Sequence, residues 1–238
     1  MGVYQVRALL MGGQACVFYG AAEFSRDTDL LILADAENLG RLEGVWRELQ
    51  AECIAEPPFA AKYLERGHAV HFRCHHPEAA DMRVDLMAKL RGVDAFPALW
   101  ERRTVITDTD DVIYQLLSLP DLVQAKKTQR SKDWPMLQRL VEVHYLRHRA
   151  APVPEQQRFW LRELRTPELL IEAAHAWPQL ARSLTVERPL LACAQPNRLL
   201  ELDELLIAEE RDQREKDRRH WQPLKAELEQ LRMAARKS

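Results

Sequence analysis

Residues 27–33, Asp-Thr-Asp-Leu-Leu-Ile-Leu, set two carboxylates one residue apart at the mouth of an aliphatic run. Leu30, Leu31, Ile32 and Leu33 read as a short buried strand. On a strand, positions i and i+2 share a face and lie roughly 6.6–7 Å apart along the chain. Asp27 and Asp29 therefore present like charges side by side where the chain enters its core. That arrangement is costly unless something positive neutralises it. A divalent cation does so, and hard oxygen ligands suit Mg²⁺, which leaves most of its coordination to water and phosphate. An Asp-x-Asp pair alone also fits a turn or a cap, so the surrounding segments must decide.

The run "YQVRALLMGG" reads as a first strand ending at Gly12-Gly13, and "QACVFYGAAEF" then has helical composition. Backbone N–H groups at a helix N-terminus bind phosphate, and glycine permits close approach. Neither a P-loop nor a Rossmann glycine pattern is present. Residues 39–55 carry Leu39, Leu42, Val45, Trp46, Leu49 and Cys53 at helical spacing, closed by Pro57-Pro58. A short helical piece follows, "AAKYLERG". "HAVHFRC" and "MRVDLMA" are then two strand-like runs joined by a loop, hence a hairpin in an antiparallel or mixed sheet. In the second run Asp85 is a charge inside an otherwise half-buried strand. If that strand neighbours residues 30–33, Asp27, Asp29 and Asp85 converge at one end of the sheet. Three carboxylates there can hold two Mg²⁺ roughly 3.5–4 Å apart, the clamp for an in-line displacement.

Beyond about residue 110 the pattern contains no clear strand. "TDTDDVIYQLLSLPDLVQAKK" and "DWPMLQRLVEVHYLRHR" have apolar residues at i, i+3, i+4 spacing, "APVP" (151–154) reads as a linker, and Pro167, Pro178, Pro189 and Pro196 break the stretch 155–207 into short helices. The tail reads as a charge-dense, largely solvated helix with Leu224, Leu228 and Leu231 on one stripe, able alternatively to dock a partner or an RNA backbone. The expected fold class is α+β: an α/β domain over 1–108 with a mixed sheet and flanking helices, helices over 109–150 completing the site, and a helical region over 151–238.

Strand, Gly12-Gly13, helix, Asp27-Thr28-Asp29, strand and then Asp85 on a later strand resemble the polymerase-β-type nucleotidyltransferase superfamily. Its signature is a Gly-Gly or Gly-Ser turn, an Asp-x-Asp and a third acid on another strand. The stretches "MGGQACVFYGAAEFSRDTDLLIL" and "LPDLVQAKKTQRSKDWPMLQRL" resemble more closely the abortive-infection (AbiEii-like) toxin branch, over roughly the first 60% of the 238 residues. The resemblance implies that Asp27, Asp29 and Asp85 hold Mg²⁺, with Asp85 also helping to deprotonate an acceptor hydroxyl. It implies that Gly12 and Gly13 touch the phosphates of an NTP, with Ser25 and Arg26 beside them. Lys126, or its neighbour Lys127, is implied to contact phosphate and Asp133 to steady the site, with Arg130 between them. At i, i+4, Lys126 and Arg130 would share one helix face. The implied reaction moves a nucleoside monophosphate to a tRNA, protein or small-molecule hydroxyl, and a toxin-like enzyme implies an antitoxin partner. Gly13 stands where many relatives carry Ser, which removes a hydroxyl but keeps the backbone donors.

The rest narrows the field. No stretch approaches the ~18–20 apolar residues of a membrane span. The formal net charge is −2, so any nucleic-acid contact needs a local basic patch. Cys16, Cys53, Cys74 and Cys193 form no CxxC pair, and the first residues lack the pattern of a secretory signal, so a cytoplasmic protein with reduced thiols is expected. "HAVHFRCHH" lacks zinc spacing: His71 and His75 would lie roughly 13 Å apart on a strand. No GxSxG supports a serine nucleophile. The rival to the enzyme is a non-catalytic nucleotide-binding or scaffold protein that retains the fold.

Overall fold

The computed structural model describes residues 4–194 and 198–237. Pro196, read as a helix breaker, lies outside the described residues. The fold is mixed α+β: a seven-stranded mixed sheet with flanking helices and a C-terminal helical region. The chain forms two compact units. The first contains residues up to Phe18, Ala22–Ala125 and the stretch from Arg219 onward; the second contains Tyr19–Ala21 and Lys126–Arg218. Apart from Tyr19–Ala21, the units divide after residues 125 and 218, and the stretch from Arg219 returns to the first.

In the first unit β1 (Ala8–Met11) runs directly into α1 (Gly12–Phe18), then β2 (Asp27–Ile32) and α2 (Ala36–Glu48) follow. β3 (Glu52–Cys53), α3 (Ala61–Arg66), β4 (Val70–Arg73), β5 (Arg83–Met87), α4 (Phe96–Glu101), β6 (Thr104–Thr107), β7 (Ile113–Leu116) and α5 (Leu119–Ala125) complete it, with the late part of the tail helix. The strand order is β3-β4-β5-β2-β1-β7-β6. β1 is antiparallel to β2 and parallel to β7, β2 is parallel to β5, and β4 and β5 form the expected antiparallel hairpin. The helix expected over 39–55 starts and ends earlier, because Asp35 accepts a hydrogen bond from the Asn38 N–H (2.8 Å) and caps it. The helix expected through residues 107–127 is instead a β6–β7 hairpin followed by a short α5. β6 is the edge strand and β7 lies between it and β1, and their exposed Val105 and Ile113 blur any strand periodicity.

The core of this unit lies against the central strands. Burial along β2 rises from exposed Asp27 to fully buried Leu31 and Ile32, so the acidic end of the strand emerges as the aliphatic end is sealed. Trp46 of α2 stacks on Phe72 of β4 with ring centroids 4.3 Å apart. Buried Asn38 anchors α2 to the far ends of β1 and β2: Oδ1 accepts from Arg7 N–H (2.7 Å), and Nδ2 donates to the carbonyls of Arg7 (3.0 Å) and Leu33 (2.7 Å).

The second unit is helical: α6 (Asp133–His148), α7 (Pro154–Glu163), α8 (Pro167–Ala176), α9 (Pro178–Leu184), α10 (Leu191–Ala194) and the stretch of α11 (Leu199–Ala235) up to Arg218. Pro154, Pro167 and Pro178 each open a helix, where the missing N–H costs nothing. Trp160 meets Tyr145 edge-on at 5.0 Å, and both are buried. In the charge-dense tail from Glu209 only Asp217 is buried among the described residues, as a largely solvated helix requires, and the anchoring lies at its start and before it. Buried Arg188 donates to Glu209 of α11 and to the carbonyls of Leu161 and Leu164 (2.9 Å each), and Leu202 and Leu206 are buried. No helix among the described residues is long and apolar enough to cross a membrane.

Candidate active site

Backbone pairing gathers the three sheet acids. Asp29 is in register with Met11 on one side and with Asp85 on the other; Asp85 in turn faces His71, and Asp27 faces Arg83. Paired residues on neighbouring strands share a face, so Asp27, Asp29, Arg83, Asp85 and His71 form one polar patch at one end of the sheet. Two apolar strands carrying acids at their matching ends would pair this way whatever their distance along the chain.

The turn from β1 into α1 presses onto this patch. Gly12 has φ +63°, and a Cβ built there would lie 1.7 Å from Asp29 Oδ2. A Cβ on Gly13 would meet Ser25 Oγ at 2.4 Å, and that hydroxyl donates to the Asp27 carbonyl (3.1 Å). Gly12, Gly13, Ser25, Asp27 and Asp29 are therefore one assembly. From α1, Gln14 Nε2 donates to Thr28 Oγ1 (3.0 Å) and ties the helix to β2. Arg26 is exposed and makes no hydrogen bond or ion pair among the described residues.

Asp85 is held differently. Arg83 donates to both its oxygens, Nε to Oδ1 at 2.8 Å and Nη2 to Oδ2 at 3.1 Å, and His71 Nδ1 lies 2.8 Å from Oδ1. Since a carboxylate only accepts, a hydrogen bond here requires the imidazole proton on Nδ1; Arg83 Nη2, 3.2 Å from the same nitrogen, then finds its acceptor in Asp85 and not in the ring. Burial pushes the Asp85 carboxyl up, but the hydrogen bonds from His71 and Arg83 together outweigh it and hold the carboxyl below its usual range. The same hydrogen bond to Asp85, aided by the charges of Asp27 and Asp29, raises the Arg83 pKa.

Comparison with models of protein families and with curated proteins finds no match.

Whether a cation suits the patch is a question of donor chemistry. Asp27 and Asp29 supply hard oxygens from one strand face, and one or two carboxylates plus phosphate and water suffice for Mg²⁺. Among the described residues no three His, Cys, Asp or Glu side chains stand close enough to hold one ion. The Asp85 carboxylate engages Arg83 and His71. The residues fit one such cation on Asp27 and Asp29, and a third ligand from Asp85 only if Arg83 lets go.

The downstream basic residues belong to the second unit. Lys126 and Arg130 do not share a helix face: α5 ends at Ala125, α6 begins at Asp133, and 126–132 form the connection between them. Lys127 is engaged with Glu163 (2.7 Å), both side chains largely buried. Buried Asp133 accepts from Arg130 Nε at 2.7 Å and from the Thr128 hydroxyl, while buried Asp217 accepts from the Gln129 N–H (2.8 Å). The connection is thus braced by two carboxylates, and Lys126 has no ion-pair partner among the described residues.

Reading the sequence alone missed Arg83 and His71. The signal was present in the hairpin: once β4 and β5 pair, His71 falls opposite Asp85, and Arg83 lies two residues before it on the same face.

Proposed function

We propose that the chain is a Mg²⁺-dependent nucleotidyltransferase that passes a nucleoside monophosphate from an NTP to an acceptor hydroxyl. The observation that carries this reading is the single polar face on which Asp29 lies in register with Asp85 of the adjacent strand and Asp27 follows two residues away on the same face, with Gly12 packed against Asp29. Asp27 and Asp29 would hold the cation, whose chemistry when bound is to neutralise the triphosphate and the charge developing on the oxygens of an in-line displacement. The acceptor oxygen bonds to the α-phosphorus, the bond from that phosphorus to the bridging oxygen breaks, and pyrophosphate leaves with the electron pair. The acceptor proton goes to a carboxylate, the role assigned to Asp85. Gly12 and Gly13 present side-chain-free backbone for phosphate to approach. The resemblance assigns Lys126 to phosphate and Asp133 to steadying the site; both belong to the other unit, so this reading rests on the sheet unit alone. Most of the catalysis is positioning and electrostatics, as phosphoryl transfer requires.

The acceptor class (tRNA, protein or small molecule), a second Mg²⁺, an antitoxin partner and a cytoplasmic setting belong to the same proposal and rest on the resemblance. Four free cysteines agree with the last.

One observation favours a second reading. Both Asp85 oxygens are engaged and its basicity is lowered, which suits a nucleotide-binding protein without catalysis. Incubation with Mg²⁺, α-labelled NTPs and tRNA or lysate separates the two. Transfer of label, reduced about 100-fold or more in Asp27→Asn and Asp29→Asn, is expected, since metal-held charge is worth several kcal/mol. Nucleotide-dependent stabilisation without transfer would favour the second reading. Equal transfer by the Asn variants would remove the assigned site.

A further inference from the structure

Arg83 and Asp85 are unequal partners. The Arg83 side chain is 40% exposed and that of Asp85 only 16%. Arg83 donates through Nε and Nη2, and its Nη1 has no hydrogen-bond partner among the described residues. The guanidinium, already half in water, would be readily hydrated on leaving, so the cost of its departure falls on the carboxylate. The carboxylate it leaves is mostly shielded from water, and a buried charge stripped of its partner is strongly destabilising. Only His71, through Nδ1, would still hold it. Departure of Arg83 is thus favourable when another cation takes its place, and the two further carboxylates that would attract that cation, Asp27 and Asp29, lie on the same face.

We propose that Arg83 is a built-in competitor for the divalent cation: it holds Asp85 until the metal takes the carboxylate, and so sets the cation affinity of the site. This rests on the metal-site reading above. Arg83 acts through Asp85 and is a positioning residue. Its occupancy makes the nucleotide-free protein a weak metal binder and ties recruitment of the third carboxylate to arrival of positive charge.

The test is calorimetric titration of the nucleotide-free full chain with Mn²⁺ alone. Arg83→Gln is expected to bind Mn²⁺ about tenfold tighter than wild type, as expected when one cation competing for a carboxylate is removed. The double variant R83Q/D85N should lose that gain. Arg83→Lys keeps the charge without the two-point grip and should fall between wild type and R83Q; it carries the test alone if R83Q does not fold. Unchanged or weaker binding in the folded variant, or no binding in any form, overturns the proposal. Label transfer is scored separately. Tighter Mn²⁺ binding without transfer would sink the transferase reading and keep the role of Arg83, and transfer without tightening would do the reverse.

Discussion

Gly12 shows how little freedom the candidate site leaves to single residues. Its backbone takes the left-handed conformation that favours glycine, and the space for a side chain is already filled by the Asp29 carboxylate. Gly12→Ala must therefore move the strand end, the helix start or the acid itself. A loss of about 1–3 kcal/mol is expected from strain and displacement combined, read as a lower melting temperature. Gly40→Ala, at an exposed position of α2 where a new Cβ meets nothing, is the contrasting control and should raise stability by up to about 1 kcal/mol. Asp85 shows the complementary principle: its neighbours determine its chemistry more than its own type does. A carboxylate between Arg83 and His71 is a poorer base than the same group beside water, so the proton-accepting role proposed for Asp85 requires Arg83 to withdraw first.

At the scale of elements, the central strands are held in place by contacts at both ends. The acidic end of β2 meets α1, while the opposite ends of β1 and β2 are closed by Asn38 of α2. Asn38→Ala takes the side-chain partner from the Arg7 N–H and the Leu33 carbonyl in a part-buried place, while the Arg7 carbonyl keeps the Leu33 N–H (3.3 Å). Each stranded group costs about 1–3 kcal/mol, so a total near the upper end of single-mutant effects is expected, measured by denaturant unfolding. The elements also show where periodicity misleads. β6 and β7 carry exposed aliphatics and threonines with a turn between them, and a short edge hairpin of that composition matches a helical spacing as well as a strand one. The β4–β5 hairpin was legible because it alternates strictly, with Val70 and Phe72 buried and His71 and Arg73 outside the core.

At the scale of the whole molecule, the chain does not divide at one point. It leaves the sheet unit after Ala125, builds the helical unit, and returns from Arg219 to pack on the first. In the first unit, Glu227 pairs with Arg66 at 2.6 Å and stands 3.1 Å from buried His68 Nε2, and Trp221 and Leu224 lie against Gly67. Deleting residues 219–238 should therefore destabilise the sheet unit. Hydrogen exchange is the measurement: faster exchange is expected in α3 and β4, with protection around Trp160 in the helical unit retained. Unchanged protection at α3 would mean the tail adds nothing to that unit.

By itself the sequence determined what depends on neighbours along the chain. The aliphatic run after Asp29, the alternation in the hairpin, the glycine pair and the absence of a long apolar stretch are local patterns, and local patterns specify strands, turns and helices through side-chain direction and backbone freedom. From them the mixed sheet and the helical remainder were readable, along with the acids most costly to place at a core's edge. Only the tertiary structure decided which strands became neighbours, and hence that Asp85 stands beside Asp29 and opposite His71, with Arg83 neutralising it. It also decided that Lys127 is spent on Glu163 and that the tail belongs with the sheet. These are pairings across long separations, chosen by the burial of whole faces and the need to satisfy every shielded charge, and no window along the chain contains both partners.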